Sequence, residues 1–276
     1  MAVKGNPAPP GLNGHVLFTI PDDAQHRVFL YGGRAVRDQK SSVFVMDQQD
    51  YSWDLASTAG APPTPRAWHS VCPLSSTMLA VYGGVSAREE DPHVHLLEAT
   101  PSANGYTLAW RDDINQSSSV PLTRSGHASI AVADTDGTRR VIIFGGRTKR
   151  GVTNEVWSLA IKDSVVAMEQ IERGQDEPLW PAPRDGHTMV AWIGHTDQKM
   201  YAVVFGGNGQ QTEDKMNDVW LLDIASREWK ELVCTGDAPR PRSYHSAHIV
   251  DNFMIVVGGR MADTEDGDVF VLDLGK

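Results

Sequence analysis

Pairs of adjacent glycines recur along the chain and constrain its fold more than any other feature. The pairs begin at residues 32, 83, 145, 206 and 258, so the interval between them stays between 51 and 62 residues. Each pair follows a short apolar run of the length and β-branched content expected for a strand buried on both faces. The runs are VFLY, MLAVY, VIIF, YAVVF and MIVV. This spacing predicts a protein built from five repeated units.

Other residues recur in register with the glycines. A histidine precedes every pair, at His15, His69, His127, His187 and His245. In four units an arginine stands three residues before it, at Arg66, Arg124, Arg184 and Arg242. A second apolar run follows the glycines, starting at Val43, Val94, Val156, Val219 and Val269, and a tryptophan closes three units, at Trp53, Trp110 and Trp229. This order predicts a four-stranded antiparallel blade, which buries both faces only by stacking on neighbouring blades.

In these motifs the chain resembles the kelch-repeat family of β-propellers over nearly its whole length. Propellers of the WD class share Gly-His, but they have a shorter period and end each blade in Trp-Asp, which only Trp53-Asp54 fits. The resemblance implies an all-β fold of five four-stranded antiparallel blades, or six if the chain is part of a longer protein. We expect one domain over residues 1–276. Its units are predicted at about residues 12–57, 66–114, 124–172, 184–234 and 242–274, with residues 1–5 as a candidate fourth strand of the last blade.

Charge and composition exclude several partner classes. The formal net charge is −10, so no overall positive field attracts nucleic acid. No run of 18 apolar residues and no secretory signal is present, which predicts a cytoplasmic protein without membrane insertion. Cys72 and Cys234 are too few for a disulfide framework, and we expect both thiols to be reduced. We expect a monomer.

Residues that occur in every unit are predicted to be structural, because their simplest role is one that every blade needs. By this criterion the histidine and arginine of Arg-x-x-His belong to the scaffold, with the guanidinium donating to nearby carbonyls or acids. The paired glycines permit positive φ where the inner strand turns. They are not a phosphate loop, since no helix follows them.

Residues that break the repeat are the better candidates for function. In kelch proteins that capture peptides, the pocket is lined by the residue after Gly-Gly and by the two residues between Arg and His. Here Trp68 and Tyr244 stand where other units have glycine, and charged loops of both signs follow the glycines. Such aromatic and arginine residues are typical of interaction hot spots. The predicted partner-binding residues are Arg34, Trp68, Arg147, Asn208, Tyr244 and Arg260.

The sequence favours a non-enzymatic scaffold that binds a segment of a partner protein on this loop face, with no cofactor. No metal or triad spacing appears locally. The iron-site pattern of plant specifier proteins has a tryptophan at Trp180 where the family has its histidine. The alternative is a small-molecule, sugar-type enzyme or binding protein that uses the central pocket, like the kelch-like sialic-acid mutarotases.

Overall fold

All regular elements in the described part of the chain are β-strands. The computed structural model describes residues 8–20, 23, 27–35, 41–86, 91–102, 105–113, 115–116, 121–133, 139–162, 165–174, 179–211, 214–262, 264 and 267–275. Over these residues there is no helix long and apolar enough to cross a membrane.

The chain divides into two compact units. Unit 1 consists of Met1–Ser125, Ala133–Val141 and Leu159–Met168. Unit 2 consists of Gly126–Val132, Ile142–Ser158 and Glu169–Lys276. The prediction of a single domain over the whole chain therefore stays a prediction, and each unit is described by itself.

Unit 1 contains the first two sheets. Blade 1 has the order β1-β2-β3-β4, formed by β1 (Val16–Phe18), β2 (Val28–Tyr31), β3 (Val43–Met46) and β4 (Trp53–Leu55). Blade 2 has the order β5-β9-β8-β7-β6, formed by β5 (Thr58–Ala59), β6 (Arg66–Pro73), β7 (Met78–Ser86), β8 (Val94–Ser102) and β9 (Gly105–Arg111). The short β5 pairs parallel with β9, whereas the other pairings in these two blades are antiparallel.

Blade 3 contributes residues to both units and has the order β10-β16-β15-β12-β11. Its strands are β10 (Asn115–Gln116), β11 (Ala128–Ala133), β12 (Arg139–Phe144), β15 (Val156–Lys162) and β16 (Val165–Ile171). Between β12 and β15 lies a separate small hairpin of β13 (Arg147–Thr148) and β14 (Gly151–Val152).

Unit 2 contains the last two sheets. Blade 4 has the order β17-β18-β19-β20, formed by β17 (Thr188–Ile193), β18 (Met200–Asn208), β19 (Lys215–Asp223) and β20 (Trp229–Leu232). Blade 5 has three described strands, β21 (Ser246–Val250), β22 (Phe253–Val257) and β23 (Val269–Asp273).

The expected all-β class with five blades is confirmed, and among the described residues the number of strands differs from four in blades 2, 3 and 5. Blades 2 and 3 gain a fifth strand because the linker from the preceding outer strand pairs parallel with their own outer strand, as Thr58 does with Leu108. Blade 5 shows three strands among the described residues. Its predicted fourth strand, residues 1–5, lies outside the described residues.

Side chains from neighbouring blades form the cores. In unit 1 the ring of Trp110, on the outer strand of blade 2, lies 5.3 Å from that of Tyr31 on the inner strand of blade 1. In unit 2 Trp229 repeats the arrangement with Phe144 at 5.0 Å. Trp110 and Trp229 thus pack between blades, as the repeat predicts, and each contributes a large buried apolar area.

Candidate functional site

The recurring arginines are enclosed by backbone carbonyls. Arg184 is fully buried; its guanidinium donates to the carbonyls of Ala182 and Gly206 at 3.1 and 3.0 Å and to both carboxylate oxygens of Asp218 at 2.8 Å. Its own carbonyl accepts the amide of Gly146, the second glycine of the preceding blade, at 2.8 Å. The equivalent residues Arg66 and Arg242 make the same contacts with carbonyls. The expectation that these arginines are scaffold agrees with this geometry.

The recurring histidines pack against the preceding blade. The ring of His187 lies 5.1 Å from Phe144, and that of His245 lies 5.0 Å from Phe205, both edge to face. A Cβ added at Gly206 would lie 3.0 Å from the ring of His245, so glycine is needed to admit the imidazole. Burial, together with the neighbouring Arg242, lowers the pKa of His245 to about 4, and burial and Arg184 lower the pKa of His187 well below its usual value. Both imidazoles are therefore neutral at pH 7.

The residue before each of these histidines takes a left-handed backbone conformation. The φ values are 68° at Gly14, 58° at Trp68, 64° at Gly126, 62° at Gly186 and 54° at Tyr244. Glycine adopts this conformation without strain, whereas a side chain costs about 1 kcal/mol there. Two repeats therefore place an aromatic residue where the backbone favours glycine.

The two aromatic residues, Trp68 and Tyr244, each form a backbone hydrogen bond with the equivalent glycine of the preceding blade. The amide of Trp68 donates to the carbonyl of Gly14 at 2.8 Å, and that of Tyr244 donates to the carbonyl of Gly186 at 2.7 Å. A Cβ at Gly14 would lie 3.0 Å from the indole, and one at Gly186 would lie 3.0 Å from the phenol ring. The aromatic residues are thus accommodated because the preceding blade has glycine.

The two sets of positions that the resemblance assigns to peptide capture are paired within blades. Backbone bridges join Asn13 with Arg34, Asp185 with Asn208, and Ser243 with Arg260, and the β6–β7 register joins Ala67 with Val85. The residue after Gly-Gly and the residue after the motif arginine, or after Leu12 in the arginine's position in blade 1, therefore lie side by side. This brings the predicted positions together within each of these blades.

In unit 1, Arg34 and Trp68 line one groove. Its volume is about 430 Å³, and its walls are Gly11, Leu12, Asn13, Arg34, Ala35 and Trp68. Arg34 is exposed, whereas Trp68 is half-buried, with its indole packed against Gly14. Two of the six predicted residues therefore meet in unit 1.

In unit 2 a polar network connects three blades. Asp185 of blade 4 is only 3% exposed, and its carboxylate accepts Arg147 Nε of blade 3 at 2.6 Å and Asn208 Nδ2 at 2.8 Å. Lys215 donates its Nζ to Asn208 Oδ1 at 2.8 Å and to Ser243 Oγ of blade 5 at 3.0 Å. A buried carboxylate with two partners fixes the direction of Arg147.

The predicted binding residues of unit 2 differ in how much of their side chains solvent can reach, and therefore in the role each can have. Tyr244 is 52% exposed and Arg260 is exposed, whereas Asn208 is 2% exposed, with its amide bonded to Asp185 and Lys215. Asn208 therefore positions neighbouring side chains and offers almost no surface of its own. Partial burial and then Asp185 raise the pKa of Tyr244, against the opposing effect of Arg147 and Arg260.

Lys215 and Gln210 were missed by the sequence reasoning. Lys215 starts the strand after a variable loop, and Gln210 lies inside that loop, accepting the amide of Val152 from blade 3 at 3.1 Å. Neither position recurs in the other units, and their partners are distant in sequence. No pattern in the sequence identifies them.

A larger groove of about 860 Å³ lies elsewhere in unit 2, and it contains none of the six predicted residues. Its walls include Tyr201 and Asp223 of blade 4 and Val271 of blade 5.

Within the described residues, no group of three or more histidine, cysteine, aspartate or glutamate side chains is arranged to hold a metal ion.

Comparisons with known proteins match the chain to a propeller family and to several longer proteins. The Attractin/LZTR1 beta-propeller family matches residues 28–269. Putative adagio-like protein 2 of Oryza sativa subsp. japonica is 30% identical over 277 residues, covering 93% of this chain and 40% of that protein. Kelch domain-containing protein 3 of Bos taurus is 24% identical, covering 92% of this chain and 62% of that protein. Acyl-CoA-binding domain-containing protein 4 of Arabidopsis thaliana is 24% identical, covering 85% of this chain and 33% of that protein. The chain thus spans between one third and about three fifths of these relatives' lengths.

Proposed function

Because the chain belongs to the Attractin/LZTR1 family of kelch-type β-propellers, we propose that it is a non-enzymatic module that binds a segment of a partner protein. Proteins of this kind are generally interaction modules, and the chain shares their all-β propeller fold. In each unit the proposed contact residues are those after Gly-Gly and those between Arg and His.

One observation supports this proposal above the others. Tyr244 exposes half of its surface at a backbone position where φ is 54° and where three other repeats have glycine. An aromatic residue at this position adds strain without filling the core. Strained residues that do not serve packing are concentrated at functional sites, and exposed tyrosines are typical interaction anchors. Trp68, with φ 58°, is the corresponding residue of unit 1.

The network beneath Tyr244 suits a binding role better than a catalytic one. Asp185, the buried carboxylate in this network, is already bonded to Arg147 and Asn208. A general acid or base needs a titratable group directed at a substrate, and the carboxylate here is directed at two protein donors. Its effect is to hold the guanidinium of Arg147 in place.

The remaining parts of the proposal concern partners, assembly and location. We propose a protein partner, no nucleic acid, a monomeric state and a cytoplasmic location. Both cysteines are free, and Cys234 is exposed, which is typical of proteins from reducing compartments.

Affinity capture with matched variants tests the proposed function. Tyr244→Gly and Tyr51→Gly each remove a tyrosine that is about half exposed and has positive φ, 54° and 59° respectively. We expect Tyr244→Gly to lose a partner that wild type and Tyr51→Gly both retain in pull-down with mass spectrometry. Trp68→Ala tests the groove of unit 1 in the same experiment. Equal recovery with all the folded variants would exclude this surface.

A further inference from the structure

The strand β23 forms one edge of blade 5. It pairs with β22 on one side, and no described strand pairs with its other side. A strand edge offers backbone N–H and C=O groups for pairing with a further strand. Just after β23, the amide of Leu274 donates to the carbonyl of Asn252 at 2.8 Å, and that of Gly275 donates to Asp273 Oδ1 at 2.9 Å. The edge therefore has a defined end.

In three other blades the outer strand places a tryptophan at one particular register position. Trp53 pairs with Met46 in blade 1, Trp110 with Leu97 in blade 2, and Trp229 with Leu222 in blade 4. Each partner is the fourth residue of the recurring second apolar run, and Leu272 is the fourth residue of that run in blade 5. Among the described residues, none pairs with Leu272 from an outer strand.

The side of β23 that packs on blade 4 is incompletely covered. In blade 4 the equivalent residues Trp220 and Leu222 are 6% and 1% exposed, and the ring of Trp229 lies 6.4 Å from that of Trp220. Phe270 and Leu272 pack against the core of blades 4 and 5 and are only partly buried. Part of this core is therefore open at the outer edge of blade 5.

The groove of about 860 Å³ in unit 2 lies along this opening. Its walls include residues 271–274 of blade 5, and residues 232–235 and Leu221 of blade 4. Val271 is 61% exposed and Val233 is 94% exposed. The groove thus borders both the free edge of β23 and the partly covered core.

The segment that the sequence suggests for this edge lacks the closing side chain. Residues 1–5 read Met-Ala-Val-Lys-Gly and contain no aromatic residue. Blades 1, 2 and 4 all use tryptophan at this position. A segment that completes blade 5 in the same way must bring an aromatic side chain of its own.

We propose that a tryptophan-bearing extended segment of a partner protein adds to β23 as an antiparallel outer strand, with the indole opposite Leu272. Backbone pairing at a sheet edge supplies affinity, and the pocket for one side chain supplies specificity. An indole buries a large apolar area in such a pocket. The groove contains none of the six predicted binding residues, so this is a second surface that does not depend on the proposed function.

The chain's own outer strand provides the probe. Fluorescein-Gly-Gly-Arg-Glu-Trp-Lys-Glu-Leu-Val-amide carries the sequence of residues 227–233, which includes β20. We expect saturable binding to the full chain in fluorescence anisotropy, and about tenfold or greater loss when alanine replaces the tryptophan. Replacing the adjacent lysine and second glutamate with proline should abolish binding, because neighbouring N–H groups point to opposite sides and one of them faces β23.

A charge exchange tests the register. In blade 4, Lys230 lies opposite Leu221, whose equivalent in β23 is Val271. The peptide's lysine should therefore lie opposite residue 271. We expect Val271→Lys to weaken binding about threefold and Val271→Glu to strengthen it by a similar factor, with the order reversed for a peptide that has glutamate in place of that lysine.

Val250→Lys is the matched control for these variants. Val250 is 55% exposed, and the β21–β22–β23 register places it on the same sheet face as Val271, two strands away. The same added charge there should leave peptide binding unchanged. Because Val250 and Val271 are both exposed, neither substitution should disturb the core.

A native thiol reports where the peptide binds. Cys234 is exposed and lines the groove, whereas Cys72 is buried. Bound peptide should slow the alkylation of Cys234 by iodoacetamide, and the alanine peptide should not. Unchanged alkylation at saturating peptide would place the binding elsewhere and overturn the proposal.

The remaining outcomes are equally decisive. No binding by wild type, equal binding of the tryptophan and alanine peptides, or no response to either Val271 variant would overturn the proposal. Binding that appears only after residues 1–5 are removed would assign the edge to the chain's own segment, and binding that dissociates a dimer would assign it to a second copy. Capture of a partner through Tyr244 is measured separately, so either result leaves the proposed function standing or failing on its own.

Discussion

The ring of Tyr244 lies directly on the backbone of Gly186, and its amide donates to the Gly186 carbonyl at 2.7 Å. A methyl group at Gly186 would lie 3.0 to 3.2 Å from three ring atoms. The exposed tyrosine of blade 5 therefore depends on a glycine of blade 4. A substitution at Gly186, in the neighbouring blade, can therefore change the position of the Tyr244 ring.

Gly186→Ala should displace the Tyr244 ring at a modest cost in stability. The ring is half exposed and can move, so the expected loss is about 1 kcal/mol from positive φ alone. Gly236→Ala is the control, since its φ is 92° and nothing lies within 4 Å of the added Cβ. Urea denaturation should give similar losses for both, while partner capture falls only for Gly186→Ala. Normal capture by Gly186→Ala would show that the ring's position is unimportant.

Gly207→Ala should destabilise unit 2 more than Gly236→Ala does. Its φ is 109°, and the added Cβ would lie 2.9 Å from the carbonyl oxygen of Asp185, which belongs to the backbone and cannot rotate away. We expect a loss of at least about 2 kcal/mol, strain and overpacking combined. Equal urea midpoints for the two variants would contradict the role assigned to the Gly-Gly pair.

Replacing Arg184 should be among the most damaging changes in unit 2. Arg184→Met leaves the carbonyls of Ala182 and Gly206 without their donor and deprives Asp218 of the cation that contributes to its lowered pKa. The expected loss is about 3 kcal/mol or more. Arg227→Met removes an exposed arginine and should change stability by less than about 0.5 kcal/mol. Chemical denaturation of both variants measures the difference.

Acid should weaken unit 2 before its carboxylates titrate. The pKa of His245 is lowered to about 4 by burial and Arg242, whereas an unfolded histidine has a pKa near 6.5. The unfolded state binds more protons between these values, so stability falls as the pH drops from about 6.5 to 4. The loss from this residue approaches about 3 kcal/mol. His187 contributes in the same direction.

His245→Asn provides the control for this pH dependence. The variant lacks a histidine at this position and should show a smaller loss of stability between pH 6.5 and 4 than wild type. Urea midpoints at several pH values measure the slope. An unchanged slope would mean that His245 titrates normally in the folded protein.

The repeat itself made most of the fold predictable, because five aligned copies of a motif reveal which positions share an environment. The arginine and histidine scaffold and the inter-blade packing of Trp110 and Trp229 follow from that alignment. The parallel fifth strands of blades 2 and 3 were not predictable, since they arise from linkers without a recurring sequence.

The site was only partly predictable, because several of its residues do not recur from blade to blade. Tyr244 and Trp68 stand out because they replace a repeated glycine. Lys215 and Gln210 have no counterpart in other blades, and they meet their partners only when loops distant in sequence come together. The burial of Asn208 likewise depends on Asp185 and Lys215 and has no signature in the sequence.

The most direct test of the central claim is site-specific photo-crosslinking from position 244. A benzoylphenylalanine replaces Tyr244 in one variant and Tyr51 in the other, so that both probes occupy half-exposed tyrosine positions. The account predicts covalent adducts with a partner protein from position 244 and none from position 51. Adducts that are absent at 244, or equally abundant at both positions, would contradict it.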